Sequence, residues 1–199
     1  IFALALIEAE QQTVVGELEV KYRTLSEVPR LLMREPHSQA VAKCVYDRQG
    51  WSARNGGLEK RFILWASADS SIEAFCKISE NRHDFARLRY VRQDGMPAFY
   101  CPDFLVRTAD TIYLVETKAQ KDVNHPDVQR KLRAAVTWCA QISELPPALR
   151  QDRQWHYVLL GETLCTDWQQ KGGNLADLLA FSRARETQST NRQAPLTGL

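Results

Sequence analysis

The sequence predicts an α/β domain with a central mixed β-sheet flanked by helices, and three observations lead there. Strand-like runs cluster in the middle of the chain, at residues 86–92, 99–107 and 111–119, separated by Asp94-Gly95 and Ala109-Asp110. Helical patterns lie on either side, at 58–67 before them and 126–142 after them. A further strand at 155–160 follows the second helix, so the order strand, helix, strand predicts a right-handed crossover that sets this strand parallel to the one at 111–119.

Taken in order, the elements rest on these signals. Residues 13–23 alternate, with Val14, Leu18, Val20 and Tyr22 on one side and Glu17, Glu19, Lys21 and Arg23 on the other, as in a half-buried strand. Residues 26–33 suggest a short helix stopped before Pro36, while 39–46 fits helix and strand equally. Asn55-Gly56-Gly57 breaks the chain before the helix at 58–67, where Leu58, Phe62 and Trp65 share a stripe. Residues 70–78 read as a second helical segment. The strands at 86–92 and 99–107 form a plausible hairpin. Pro126 opens the next helix, whose Val128, Leu132, Ala135, Val136 and Cys139 face the core. A last helix spans 175–185. This gives an N-terminal extension or small subdomain at 1–50, a main domain at 51–185 and a flexible Thr-, Gln-, Ser- and Asn-rich tail at 186–199.

Chemistry concentrates in two of the strands. Tyr100-Cys101-Pro102-Asp103-Phe104 is followed, thirteen residues after the aspartate, by Glu116-Thr117-Lys118. Strand side chains alternate, so Glu116 and Lys118 share a face, and a hairpin turning at 108–110 sets Asp103 across from them. An E-x-K pattern alone is an ordinary solvated sheet face. Here the Ile112-Tyr113-Leu114-Val115 run makes the strand central and buried, where an unpaired charge is costly and charges that persist commonly bind or catalyse. Magnesium uses one or two protein carboxylates, so Asp103, Glu116 and the Thr117 carbonyl suffice to hold it and to support phosphodiester hydrolysis. The Lys118 ammonium would orient the attacking water or neutralise charge growing at phosphorus.

Together with Gly57-Leu58-Glu59-Lys60-Arg61-Phe62 and Leu88-Arg89-Tyr90, these motifs resemble the PD-(D/E)xK nuclease superfamily over roughly residues 56–140. More narrowly, they resemble the C-terminal endonuclease domain of type III restriction enzyme Res subunits, which are helicase-nucleases. The resemblance implies a restriction-endonuclease-like core and Asp103, Glu116 and Lys118 as catalytic residues. It implies magnesium as cofactor, with manganese as a substitute, and Glu59 as an auxiliary acid from the first helix. DNA is the implied substrate. The implied partners are an upstream helicase/ATPase motor, covalently attached, and a modification (methyltransferase) subunit, with ATP entering only through that motor. The opening on Ile1 within the uncapped apolar run 1–7 hints at a piece of something longer. No G-x-x-x-x-G-K-S/T pattern supplies a nucleotide site within these residues.

Several residues carry two readings each. Glu59 either completes the metal shell or is a first-turn acid favoured by the helix dipole, and Glu73 is a weaker rival for the same role. Gln120, two beyond Lys118 on the same face, either touches a phosphate or ends the strand. His125 reads as a helix cap. Lys121 and Lys131 flank the expected cleft and are expected to hold a phosphate backbone, with a solvated helix face as the alternative.

Composition sets the limits. With 199 residues, 44% of them apolar and 25% charged, the chain can bury one substantial core. A formal charge of +2 is far from a strongly basic nucleic-acid module. Five cysteines without CxxC spacing indicate neither a disulfide framework nor a zinc site. No apolar stretch reaches the ~20 residues of a membrane span, so the expectation is a cytoplasmic protein with no membrane partner. Two rival functions stand beside the restriction-type nuclease. One is a stand-alone or RNA-directed nuclease of defence or repair. The other is a noncatalytic nucleic-acid-binding or assembly domain of the same fold, against which the intact trio argues.

Overall fold

The computed structural model describes residues 3–6, 21–52 and 57–192. In chain order the elements are β1 (Ala3–Leu6), β2 (Lys21–Thr24), β3 (Ser38–Ala40), β4 (Arg48–Gly50), α1 (Gly57–Ala68), β5 (Ala74–Lys77), β6 (Leu88–Val91), β7 (Pro97–Tyr100), β8 (Phe104–Arg107), β9 (Thr111–Lys118), α2 (Pro126–Glu144), β10 (Gln154–Gly161), α3 (Glu162–Gln170) and α4 (Leu175–Arg192). Four strands form the central sheet in the order β10-β9-β8-β5, and β1-β2, β3-β4 and β6-β7 are separate antiparallel pairs. The central sheet is mixed, with β10 parallel to β9 and the β9-β8 and β8-β5 pairs antiparallel.

Helices cover both faces because β9 and β10 are apolar on both. Ile112, Leu114, Trp155 and Tyr157 pack with Ala135, Cys139 and Ile142 of α2. On the other face Tyr113, Val115, Val158 and Leu160 pack with Phe62, Ile63 and Ala66 of α1, Cys165 of α3 and Leu175, Leu178 and Leu179 of α4. Strands buried on both faces read as continuous hydrophobic runs, as residues 112–115 do. Asp69, just after α1, ties two elements together by accepting the Leu175 and Ala176 N–H groups at the start of α4, at 2.7 and 3.1 Å.

The outer edge of β5 is closed by the N-terminal segment. The Phe75 N–H donates to the Lys43 carbonyl at 2.9 Å and the Lys77 N–H to Gln49 Oε1 at 2.6 Å. Gln49 is wholly buried, so its amide serves as a ladder partner for an edge that would otherwise be open. Leu25 and Tyr46 from the same segment are buried with the α2-side core.

The structure corrects the local reading in several places. Residues 70–78 contain strand β5, not a helix, since Phe75 and Cys76 are consecutive and each is fully buried against opposite faces, a pattern whose period cannot separate strand from helix. The run 99–107 divides into β7 and β8, which belong to different sheets, with Cys101, Pro102 and Asp103 between them; Pro102 cannot donate a ladder bond there. Residues 26–33 hold only one 3-10 turn, Leu25–Glu27. Helix α3 was not expected, and α4 runs to Arg192, past the expected end at 185 and into the predicted tail. Most of the predicted strand at 13–23 lies outside the described residues; its end is β2.

Candidate active site

The trio assembles where the β8-β9 ladder ends. Leu105 lies opposite Leu114 and Phe104 opposite Val115, so the register carried one step further sets Asp103 against Glu116. Asp103 is held there on two sides. Its carbonyl accepts the Ile78 N–H at 2.8 Å, and its Oδ2 accepts both the Thr117 N–H at 2.8 Å and the Thr117 hydroxyl at 2.7 Å. Side-chain bonds thus replace the next rung of the ladder. A strand residue's N–H and C=O point to the same neighbour. The Thr117 carbonyl is therefore turned toward β8, past the last paired residue.

Glu116 projects to the α2 side and is only 5% exposed. Its Oε1 pairs with Lys118 Nζ at 2.5 Å, whereas its Oε2 is buried with no hydrogen-bond partner. Burial, and after it the nearby Asp103 charge, raises the Glu116 carboxyl to about 7 even though Lys118 and Lys131 pull it down. For Lys118, burial favours the neutral amine, but Glu116 and then Asp103 and Asp122 outweigh it and the ammonium is held above its ordinary range. Near neutral pH Glu116 is thus poised between its charged and neutral forms, and one of its oxygens has no hydrogen-bond partner.

Among the described residues, no group of three or more His, Cys, Asp or Glu side chains is placed to hold a metal ion. A magnesium site needs fewer, because water and substrate complete its octahedron. The donors present fit that requirement. They are hard oxygens only, from Asp103, Glu116 and the Thr117 carbonyl, and the orphaned Glu116 Oε2 is a buried acceptor without a donor.

The other candidates fall in different places. Glu59 is drawn into a pair with Lys77 Nζ at 3.1 Å and accepts the Ser52 N–H at 2.9 Å. It rises with α1 on the face of Val115, opposite to Glu116, so its expected place in the metal shell is replaced by a link between α1 and β5. Gln120 has left the strand, which stops at Lys118; it lies in the 3-10 turn Gln120–Asp122 against Gly161, where a Cβ would come within 2.8 Å of Gln120 Oε1. The expected alignment of Gln120 with Lys118 therefore does not form. Lys121, in the same turn, is exposed. Lys131 is half-buried, pairs with Asp127 at 3.6 Å and stands 5.4 Å from the centres of the Tyr90 and Tyr100 rings. It acts on Glu116 as a nearby positive charge. Glu73 sits at the far end of the sheet, and His125 caps α2 by accepting the Asp127 N–H at 3.3 Å.

Two contributors were not foreseen. The Thr117 hydroxyl clamps Asp103, a role that a threonine beside two charged residues could have signalled. Tyr100 is buried near Glu116, and burial followed by that carboxylate raises its phenol well above the usual range. No family model matches the chain, and neither does any curated protein or solved structure.

Proposed function

We propose that this chain carries a restriction-endonuclease-like core of the PD-(D/E)xK kind, hydrolysing DNA phosphodiester bonds with magnesium, as the nuclease part of a type III restriction-like, ATP-dependent subunit. The observation that carries the proposal is the buried Glu116, with one oxygen on Lys118 and the other unpartnered, opposite an Asp103 fixed by Thr117. A structural ion pair would use its oxygens within the fold.

Each residue has a distinct part. Asp103 cannot swing while Thr117 holds Oδ2, so it offers its remaining oxygen from a fixed position. Glu116 supplies the second carboxylate. Magnesium, when bound, would supply polarisation of the phosphate and a lowered pKa for the attacking water. Lys118 keeps its proton, because the carboxylates beside it raise its pKa, and so acts as a fixed positive charge toward the phosphorus and not as a base.

The test is a cleavage assay on the full-length protein with its partner subunits, run across a magnesium titration beside a DNA-binding assay. Lys118→Ala is expected to abolish cutting while metal and DNA association persist, because the ammonium acts on the transition state. Asp103→Ala is expected to lose metal and cutting together. Wild-type-like cutting by Lys118→Ala would overturn the mechanism. A wild-type protein that binds DNA and never cuts it would favour the noncatalytic binding module.

A further inference from the structure

A groove of about 720 Å³ opens beyond the outer edge of β5. Its lining includes Arg30, Arg34, His37, Lys77 and Arg82 and contains no aspartate or glutamate. Lys77 is committed to Glu59. Arg30, Arg34 and Arg82 are exposed, and none makes an ion pair among the described residues. Between these charges the walls are mixed, with apolar stretches from Leu31, Leu32, Met33, Trp51 and Ile78 beside the polar Gln49, Ser79 and Asn81.

We infer that this groove takes an unpaired DNA strand and feeds it to the Asp103–Glu116 site. Three guanidiniums with free forks suit phosphate oxygens, which they can grip in a bidentate way. The apolar stretches of the walls discriminate further. A duplex offers its phosphates but keeps its base faces stacked inside, so it can satisfy the arginines and not the walls. A single strand presents both, with phosphates along its backbone and flat apolar faces that stack on side chains such as Trp51. The groove also adjoins the site through one stretch of backbone. Lys77 lies opposite Phe104 in the sheet, and the Ile78 N–H holds the Asp103 carbonyl. A strand lying along Lys77 and Ile78 therefore has its backbone beside the residue that precedes Phe104. This surface is distinct from that of Lys121, in the turn after β9, and of Lys131, which stands against the Tyr90 and Tyr100 rings. Delivery to the site rests on the nuclease reading; capture of the strand does not.

The experiment measures binding of a fluorescein-labelled dT12 oligonucleotide and of a 12-base-pair duplex to the full chain, in EDTA, between 50 and 200 mM salt. The single strand is expected to bind at least tenfold more tightly than the duplex. The double variant Arg34→Ala, Arg82→Ala is expected to weaken dT12 binding at least tenfold and to flatten its log–log salt dependence by about 1.4, two phosphate contacts at about 0.7 each. Circular dichroism melting checks that the variant is folded, and the single variant Arg30→Ala gives an independent reading if it is not. Unchanged dT12 binding by a folded variant, or tighter binding of the duplex, overturns the inference. Cleavage in magnesium separates the two ideas. Arginine-dependent capture without cutting leaves the groove and removes the nuclease, whereas cutting that the arginine variants leave intact does the reverse.

Discussion

At one end of the central sheet Glu73 lies between two guanidiniums, Arg107 at 3.0 Å and Arg153 at 3.2 Å, and its side chain is 38% exposed. At the other end Glu116 is almost wholly buried, has one ammonium partner and one unpartnered oxygen, and faces a second carboxylate. The same strands, β8 and β9, pass through both ends. At the Glu73 end, positive charge outnumbers the acid and water screens what is left, so the cluster is closed and joins β5, β8 and the approach to β10. At the Glu116 end, the acid is desolvated and one of its oxygens is unpartnered. Burial without full pairing raises energy, which an added cation would relieve under the proposed function. The contrast separates an ion cluster whose acid is fully paired from one that leaves a buried carboxylate oxygen without a partner.

The largest expected effect is on cleavage. Glu116→Gln keeps the shape of the site but removes the charge that would retain a cation, and is expected to reduce cutting by at least about 10²-fold, as loss of a central electrostatic group commonly does. Glu73→Gln is expected to leave the rate within about twofold. Equal losses in the two variants, measured as initial rates under saturating magnesium, would erase the distinction between the ends.

A smaller effect appears in stability against pH. Glu116 has a folded pKa of about 7 against an ordinary 4.5, so the folded state binds more protons than the unfolded state between these values. Its contribution therefore turns unfavourable as pH rises through that window, by at most about 3.5 kcal/mol at roughly 1.4 kcal/mol per unit. Lys118, raised from 10.5, contributes a constant amount throughout it. Urea unfolding in EDTA at pH 5 and pH 8 reads the difference: wild type is expected to lose more stability than Glu116→Gln across that step. Adding magnesium at pH 8 is expected to restore wild type and not the variant. Parallel pH profiles would show that Glu116 is not the strained group.

The smallest effect is expected at the closed end. A half-exposed ion cluster contributes little, so Glu73→Gln is expected to cost about 1 kcal/mol or less in the same urea experiment, and less still in 1 M salt. A cost several times larger would mean that the far end, and not the trio, carries the main electrostatic energy of the sheet.

The sequence made the trio legible and left its surroundings obscure, for identifiable reasons. Asp103, Glu116 and Lys118 stand out because each interrupts an apolar run, and strand alternation then fixes their relative faces. The parallel pairing of β10 with β9 follows from the helix between them. Segment 70–78 hides its strand because Phe75 and Cys76 are buried on opposite faces, which erases the strand period. The Glu59–Lys77 pair is not legible because Lys77 comes from that same strand. The groove arginines could not be grouped, since Arg30, Arg34 and Arg82 meet only after residues 38–52 fold over the β5 edge.

Manganese binding followed by electron paramagnetic resonance, with no nucleic acid present, tests whether the Glu116 end is built for a cation. Wild type is expected to bind one ion at this site, with an affinity that falls about tenfold per unit as pH drops below about 7, because the ion displaces the Glu116 proton. Glu73→Gln and Lys118→Ala are expected to retain the ion, and Glu116→Gln to lose it. Manganese bound equally well by wild type and Glu116→Gln, or not bound by wild type at all, would contradict the account.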